Sequence, residues 1–132
     1  MAIPDEYHDL FEKKTFAHLS TVMPDGTPQV TPVWVDYDAD AGHVLINTER
    51  GRQKERNVQR TPSVGVSMID PEDPYRFVSV RGEVVDITEA GAIAHINELT
   101  QRYMGRDEYP GLDEEEGARV VLRIAPNNVA TT

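Results

Sequence analysis

The sequence contains no cysteine. This absence excludes disulfide bonds, iron–sulfur clusters, thiolate zinc sites and a cysteine nucleophile together. Long apolar runs are also missing, because no stretch approaches the roughly 18 to 20 residues that a membrane-spanning helix requires. Residues 1–6 carry neither a basic stretch nor an apolar signal core. The sequence therefore predicts a cytoplasmic protein that has no membrane partner.

Positive charge is scarce and unevenly placed. The 132 residues hold 13 Lys and Arg against 23 Asp and Glu, which gives a formal net charge of −10. A surface of that sign disfavours nucleic acid and anionic membranes as partners. Five cations nevertheless lie between Arg50 and Arg60 with one acid among them, a local charge of +4. The length and the 39% hydrophobic content predict one globular domain over residues 1–132.

Most signatures of catalysis and metal binding are absent as well. The four histidines show neither i, i+4 pairing nor the HExxH pattern of zinc sites. The sequence has no GxGxxG and no phosphate loop, and Ser67 lacks the second glycine of a nucleophile elbow. The acidic run at 113–116 is typical of a solvated loop. We predict no metal site, so any chemistry must come from other groups or from a bound cofactor.

Segments rich in β-branched and aromatic residues recur along the chain, with turn signals between them. The predicted strands are residues 15–22, 29–37, 43–48, 63–69, 75–87 and 118–124. The predicted helices are residues 5–14, 52–60 and 88–104. Because tight turns join most of the strands, an antiparallel barrel is favoured over a doubly wound parallel sheet. The expected fold class is mainly β (α+β), a six-stranded antiparallel barrel with two or three flanking helices.

The basic segment, residues 50–60, is the most informative candidate for a binding site. A strand that ends at Thr48 leads through Arg50-Gly51-Arg52 into a helix that carries Lys54 and Arg56. Backbone N–H groups at a helix start favour an anion, and cationic side chains nearby add charge-assisted hydrogen bonds. The spacing alone supports this phosphate cradle and a solvated helix face paired with acids equally well.

Four blocks of the chain, in order, resemble one known superfamily. They are GTPQVTPVW (26–34), NTERGRQKERNV (47–58), DPEDPYRF (70–77) and VRGEV (80–84). This combination is similar to the pyridoxamine 5′-phosphate oxidase-like split β-barrel superfamily, and within it to the branch that uses the deazaflavin coenzyme F-420. The resemblance covers almost the whole chain. It implies an FMN-binding-protein-like split barrel and a homodimer with two cofactor sites at its interface.

The resemblance also implies which residues hold the cofactor. They are Thr31, Pro32, Val33, Ile46, Asn47, Thr48, Arg52, Lys54, Arg56 and Asn57. The first three would meet the isoalloxazine-like ring, the next three would line its other edge, and the last four would bind the phosphate or support its turn. Each assignment has a structural alternative: Val33 and Ile46 could be core residues, and Asn57 could cap its own helix. No side chain is assigned a catalytic role, and a proton would come from solvent or from Tyr75.

The choice of cofactor depends on charge. FMN ends at its ribityl phosphate, whereas F-420 continues through a phosphodiester and lactate to a tail of carboxylates. A local charge of +4 exceeds what one phosphate requires, so the sequence favours F-420 over FMN. The expected function is hydride transfer between F-420 and an unidentified small organic substrate. The alternatives are an FMN-dependent pyridoxamine phosphate oxidase-like enzyme and a non-catalytic module that binds flavin, deazaflavin or haem.

Overall fold

Alternating apolar side chains build a curled antiparallel sheet. The structure is a computed structural model that describes residues 2–132, and within them it has seven strands and three α-helices. The strands are β1 (Phe16–Val22), β2 (Pro28–Trp34), β3 (Asp36–Asp38), β4 (His43–Glu49), β5 (Ser63–Asp70), β6 (Asp73–Thr88) and β7 (Arg119–Thr131). The helices are α1 (Asp9–Glu12), α2 (Gln53–Arg60) and α3 (Ala92–Met104), with 3₁₀ turns at Asp5–Tyr7 and Leu112–Glu114.

The sheet has the order β2-β1-β5-β6-β7-β4-β3, and all neighbouring strands are antiparallel. The side chains that point inward, among them Leu19, Met68 and Leu122, are almost completely buried in one core. Helix α1 adds Leu10 and Phe11 to that core. No helix in residues 2–132 is both long enough and apolar enough to cross a membrane.

The predicted count of six strands is wrong, because the second predicted strand is two strands. Residues 29–37 break at Val35, so that β2 pairs with β1 while β3 pairs with β4 at the opposite end of the sheet order. The Val35 N–H donates to the Tyr103 hydroxyl at 3.1 Å, and its carbonyl accepts from Arg102 at 3.1 Å. Helix α3 therefore satisfies the backbone where the chain passes from one edge to the other. The continuous apolar sequence gives no sign of this break.

Several further boundaries differ from those predicted, and the structure explains two of them. Strand β7 continues to Thr131, because a register shift beside Gly82 of β6 accommodates Pro126. A side chain at Gly82 would collide with the Ala125 carbonyl, so glycine permits this close approach. Helix α3 begins at Ala92 rather than at residue 88, since β6 extends through residue 88.

Candidate functional site

A cleft of about 230 Å³ opens where β2, β4 and the start of β7 meet the start of α2 and one face of α3. Its lining falls into three groups. The cation wall is Arg52, Lys54 and Arg119, the aromatic wall is Phe16, Trp34 and Tyr109, and the strand floor is Pro32, Val33, Asn47 and Thr48, with Ile96 beside them. A surface that combines a few convergent polar groups with apolar walls is typical of a small-molecule site.

Six of the ten residues predicted to bind a cofactor line this cleft. They are Pro32, Val33, Asn47, Thr48, Arg52 and Lys54. The structure does not bring the other four, Thr31, Ile46, Arg56 and Asn57, to it. Ile46 lies fully buried in the core, and Thr31 lies opposite Leu19 in the β1–β2 ladder. Asn57 is buried and donates to the Thr21 hydroxyl at 2.9 Å, so it links α2 to β1.

The basic segment does not form one positive patch. Arg50 pairs with Glu89 at 2.8 Å, and Arg56 donates to the Gln53 side chain at 2.6 Å. Arg60 donates to a backbone carbonyl of β1 at 2.7 Å. Three of the five cations that give the segment its charge therefore have partners outside the cleft. This distribution weakens the inference that the whole charge of +4 is available to a long anion.

The local turn explains how Arg52 and Lys54 reach the cleft. Gly51 has φ = 95°, a left-handed conformation that glycine adopts without steric cost. Its N–H donates at 2.8 Å to the carboxylate of Glu55, which is almost completely buried. Since this contact ties the turn to the first turn of α2, the two cationic side chains project from a fixed backbone.

Arg119 supplies the third cation, which sequence reasoning missed. It is 6% exposed, forms a two-pronged ion pair with Glu115 at 2.9 and 2.5 Å, and donates to the Asn47 side-chain oxygen at 3.3 Å. Its guanidinium lies 4.4 Å from the centre of the Tyr109 ring. Burial opposes the charge, but the ion pair with Glu115 raises the pKa of Arg119 above its usual value. Arg119 is therefore a fixed positive group.

Lys54 is the unbalanced charge of the cleft. Its side chain is half-buried, and within residues 2–132 it has neither a hydrogen bond nor an ion pair. Burial lowers the pKa of Lys54, and the charges of Arg52 and Arg119 lower it further. Arg52 and Arg119 both have acidic partners, so the net positive charge at this end of the cleft lies on Lys54.

Thr48 adds an unsatisfied donor to the same cleft. It is 1% exposed, and its hydroxyl has no hydrogen-bond partner among the described residues. A buried hydroxyl without a partner costs about 1 to 3 kcal/mol, so most such groups are satisfied in folded proteins. No side chain caps the N-terminus of α2 either, where Arg52 is the N-cap residue. The arrangement can bind an anion that carries several oxygens.

The aromatic wall adjoins the cation wall, since the Tyr109 ring lies against Arg119. Trp34 stacks on Tyr103, with ring centres 4.9 Å apart and planes 6° from parallel, and it meets the Tyr109 ring edge-on at 5.9 Å. Phe16 is 52% exposed. Such packed rings offer a flat apolar surface to a planar ligand. Tyr75, the side chain suggested as a proton source, lies at the start of β6 and does not line the cleft.

Comparisons with known proteins agree with this architecture. The pyridoxamine 5′-phosphate oxidase family matches residues 3–132. Among solved structures, an F-420 reductase is 37% identical to the chain with a TM-score of 0.83, and the match covers 97% of this chain and 98% of that one. A conserved hypothetical protein from Mycobacterium tuberculosis is 26% identical with a TM-score of 0.77, over 99% of this chain and 84% of that one.

A more distant likeness shows the fold alone. General Stress Protein 26 from Bacillus anthracis is 20% identical with a TM-score of 0.67, over 93% of this chain and 88% of that one. No curated protein matches the chain. Together these comparisons confirm the predicted resemblance, and the observed sheet is consistent with the predicted split barrel apart from its strand count.

Proposed function

The chain belongs to the pyridoxamine 5′-phosphate oxidase family, and we propose that it is an oxidoreductase that binds the deazaflavin coenzyme F-420 in the cleft. With it, the protein would transfer a hydride to or from a small organic substrate. The observation that carries this proposal is the pairing of an unpartnered cation, Lys54, with the unsatisfied buried hydroxyl of Thr48 in one cleft. Both groups destabilise the cofactor-free protein, and one bound phosphate would satisfy both.

The cation wall suits the phosphate of such a coenzyme. Lys54 supplies the net charge, Arg52 stands at the start of α2, and Thr48 supplies a neutral donor. Arg119 is already fixed by Glu115, so it contributes a stable field and keeps its place when the cleft fills. Charge-assisted hydrogen bonds of this kind are about twice as strong as neutral ones.

The strand floor and the aromatic wall suit the ring. Val33 is buried, and Pro32 has no backbone N–H, so this part of β2 presents apolar surface and carbonyl oxygens. Asn47 adds a polar side chain to this floor. When bound, F-420 supplies the carbon that accepts or releases a hydride, and the protein supplies position and electrostatics. The proposal requires no acidic or basic side chain of the chain to act on the substrate.

The F-420 reductase at 37% identity supports this cofactor. FMN is the second candidate, for a specific reason. The unbalanced charge of the cleft is Lys54 alone, because Arg50, Arg56 and Arg60 have partners elsewhere. One unbalanced cation suits the single phosphate of FMN as well as the phosphodiester of F-420.

Titration separates the two cofactors. We expect F-420 to bind the purified protein more tightly than FMN, measured by the change in cofactor fluorescence, because its tail offers further carboxylates to the exposed part of Arg52. Equal affinities, or tighter binding of FMN, would replace the F-420 proposal with the FMN-dependent one. If neither cofactor binds, the proposal that this chain uses a cofactor of either kind is wrong.

Two buried threonines provide a matched pair of variants. Thr48 and Thr15 both have a buried hydroxyl without a partner, but only Thr48 lines the cleft. Thr48→Val and Thr15→Val should each leave the protein as stable as before or slightly more so. Thr48→Val should weaken F-420 binding by about tenfold, the loss of one hydrogen bond to a charged group, while Thr15→Val should not change it. An equal effect of both variants would remove Thr48 from the binding site.

We also propose that the protein is a homodimer. Phe16 and Val30 lie on the neighbouring strands β1 and β2 and are 52% and 61% exposed. A second copy that covers this region would also close the open side of the cleft. Sedimentation should then give a particle of twice 14.8 kDa, and a monomer at the concentration of the binding assay would contradict the shared site.

A further inference from the structure

His95 does not line the cleft, yet one side chain connects it to the cation wall. It lies in α3, with its Nε2 atom 2.9 Å from an Asp36 oxygen and its Nδ1 atom 3.1 Å from the side-chain nitrogen of Asn47. Asn47 in turn lines the cleft and accepts from Arg119 at 3.3 Å. His95 is therefore two contacts from the charged end of the site.

The orientation of the Asn47 amide is fixed by two groups that cannot exchange roles. Its nitrogen donates to the Ala92 carbonyl at 2.8 Å, and its oxygen accepts from the Arg119 guanidinium at 3.3 Å. A carbonyl only accepts, and a guanidinium only donates. The amide consequently presents an N–H to His95, so the Nδ1 atom of His95 must accept and its proton must lie on Nε2, toward Asp36.

The charged groups around His95 are consistent with a proton on Nε2. Asp36 accepts from Nε2 and also from Arg102 at 3.1 Å. Burial opposes the charge of Asp36, but its hydrogen bonds with His95 and Arg102 hold its pKa below the usual value, so the acceptor stays ionised. Arg119 contacts Asn47, which lies between it and the His95 ring. Arg123 lines a small cavity together with His95, and it pairs with Asp38 at 2.9 Å.

We propose that His95 is a positioning residue for the cleft. In its neutral form it holds Asn47 in the orientation that accepts from Arg119. A proton on Nδ1 would face the N–H of Asn47 at 3.1 Å, so the two donors would repel each other and the amide would have to turn. The turned amide would then present its nitrogen to Arg119, again a donor against a donor. The effect on cofactor binding rests on the proposed function, whereas the contact between His95 and Asn47 does not.

The contact can be tested without a cofactor. At about pH 8, above the ordinary range of histidine titration, long-range ¹H–¹⁵N correlation spectra of the wild-type chain should show His95 as the Nε2–H tautomer. Asn47→Asp replaces the donor with a carboxylate, so the same spectra should show a proton on Nδ1 of His95. The exposed change Asn127→Asp on β7 is the control and should keep the wild-type spectrum of His95. An Nδ1–H tautomer in the wild type, or the same His95 spectrum in both variants, would overturn the proposal.

The consequence for binding is tested by the F-420 affinity of two variants. His95→Leu removes the acceptor that faces Asn47, whereas His95→Asn keeps a side-chain oxygen that can accept in place of Nδ1. The affinity should fall by about two- to tenfold in His95→Leu, the range expected when one hydrogen bond of the site is lost, and should stay close to that of the wild type in His95→Asn. Wild-type affinity in a folded His95→Leu protein, or an equal loss in both variants, would overturn the coupling.

The tautomer measurement and the affinity measurement distinguish failure of the His95 proposal from failure of the proposed function on which it rests. If F-420 and FMN both fail to bind the wild type, the proposed function is wrong, and the tautomer still decides whether His95 positions Asn47. If F-420 binds the wild type and a folded His95→Leu protein equally well, the function stands and the positioning role falls. Thermal melting of each variant shows whether a change in affinity is a change in folding.

Discussion

Two groups of charged side chains in this protein differ in how their charges are balanced. The N-terminal cluster consists of Asp9, Lys13, Asp70 and Arg76, two acids and two bases in mutual contact. Arg76 meets Asp9 at 2.6 Å and Asp70 at 2.9 Å, and Lys13 meets Asp70 at 2.9 Å. The cation wall has three bases and leaves Lys54 without a partner among residues 2–132. The charges of the N-terminal cluster balance one another, whereas the cation wall needs a bound anion to balance the charge of Lys54.

The pKa values of the two groups shift for opposite physical reasons. A hydrogen bond from Arg76 holds the pKa of Asp9 below its usual value, and a hydrogen bond from Lys13 does the same for Asp70. In both cases the folded protein favours the charged form. Burial lowers the pKa of Lys54, so there the folded protein disfavours the charged form. The N-terminal cluster therefore stabilises the fold, whereas Lys54 is retained at a cost to stability and is available to a ligand.

The largest expected effect is the loss of one acid from the N-terminal cluster. Asp70→Asn keeps the shape of the side chain but leaves Arg76 with Asp9 alone, and Lys13 with Asp9 and the more distant Glu72. Because Asp70 joins β5 to the N-terminal segment, the melting temperature should fall by about 5 °C or more. The affinity for F-420 should stay within about twofold of the wild type. Loss of affinity without loss of stability would reverse the roles assigned to the two clusters.

Acid should act on the same cluster. Since the pKa values of Asp9 and Asp70 are lower in the folded chain than in the unfolded one, their contribution is fully present above about pH 4 and is lost as the pH falls through the folded values. Melting temperatures measured below about pH 5 should therefore decline less steeply in Asp70→Asn than in the wild type. Parallel curves would show that these carboxylates do not contribute to stability.

A smaller effect of opposite sign is expected at the cation wall. Lys54→Met keeps the length of the side chain and removes a charge that burial and two neighbouring cations disfavour. The melting temperature of the cofactor-free protein should rise by about 1 to 3 °C, which thermal melting can resolve. A clear fall would mean that Lys54 has a stabilising partner in the protein and is not reserved for a ligand.

The smallest expected difference concerns salt. Arg52 is half exposed beside the cleft, so raising the ionic strength from about 50 to about 500 mM should weaken F-420 binding several-fold through screening. The same change should move the melting temperature of the cofactor-free protein by only a few degrees. A binding constant that is independent of salt would show that the cation wall does not hold the anion.

The sequence predicted those parts of the site that depend on neighbouring residues. Arg52 and Lys54 share one turn with Gly51, so a local pattern was enough to mark them as candidates. Arg119 and Tyr109 reach the cleft only because β7 pairs with β4 and the preceding loop folds back over it. No local pattern around residues 109–119 records that closure. For this reason the basic segment marked Arg52 and Lys54 as candidates but gave no sign of Arg119.

The fold shows the same limit. Alternation of apolar residues located the sheet and five of its strands, because each strand buries one face. The break at Val35 was missed, since it depends on Tyr103 and Arg102 of a helix that lies far along the chain. The prediction that Ile46 lines the cofactor was also made without knowledge of which side of β4 faces the core. The break at Val35 and the orientation of Ile46 both depend on the long-range closure of the barrel.

The central claim is that the unbalanced charge of Lys54 serves the phosphate of the cofactor. Fluorescence titration with F-420 tests it most directly, with the wild type, Lys54→Ala and the exposed change Lys14→Ala compared under one condition. Lys54→Ala should weaken binding by about ten- to a hundredfold, the loss of one charge-assisted hydrogen bond, while Lys14→Ala should bind as the wild type does. Equal affinities of the two variants would contradict the claim.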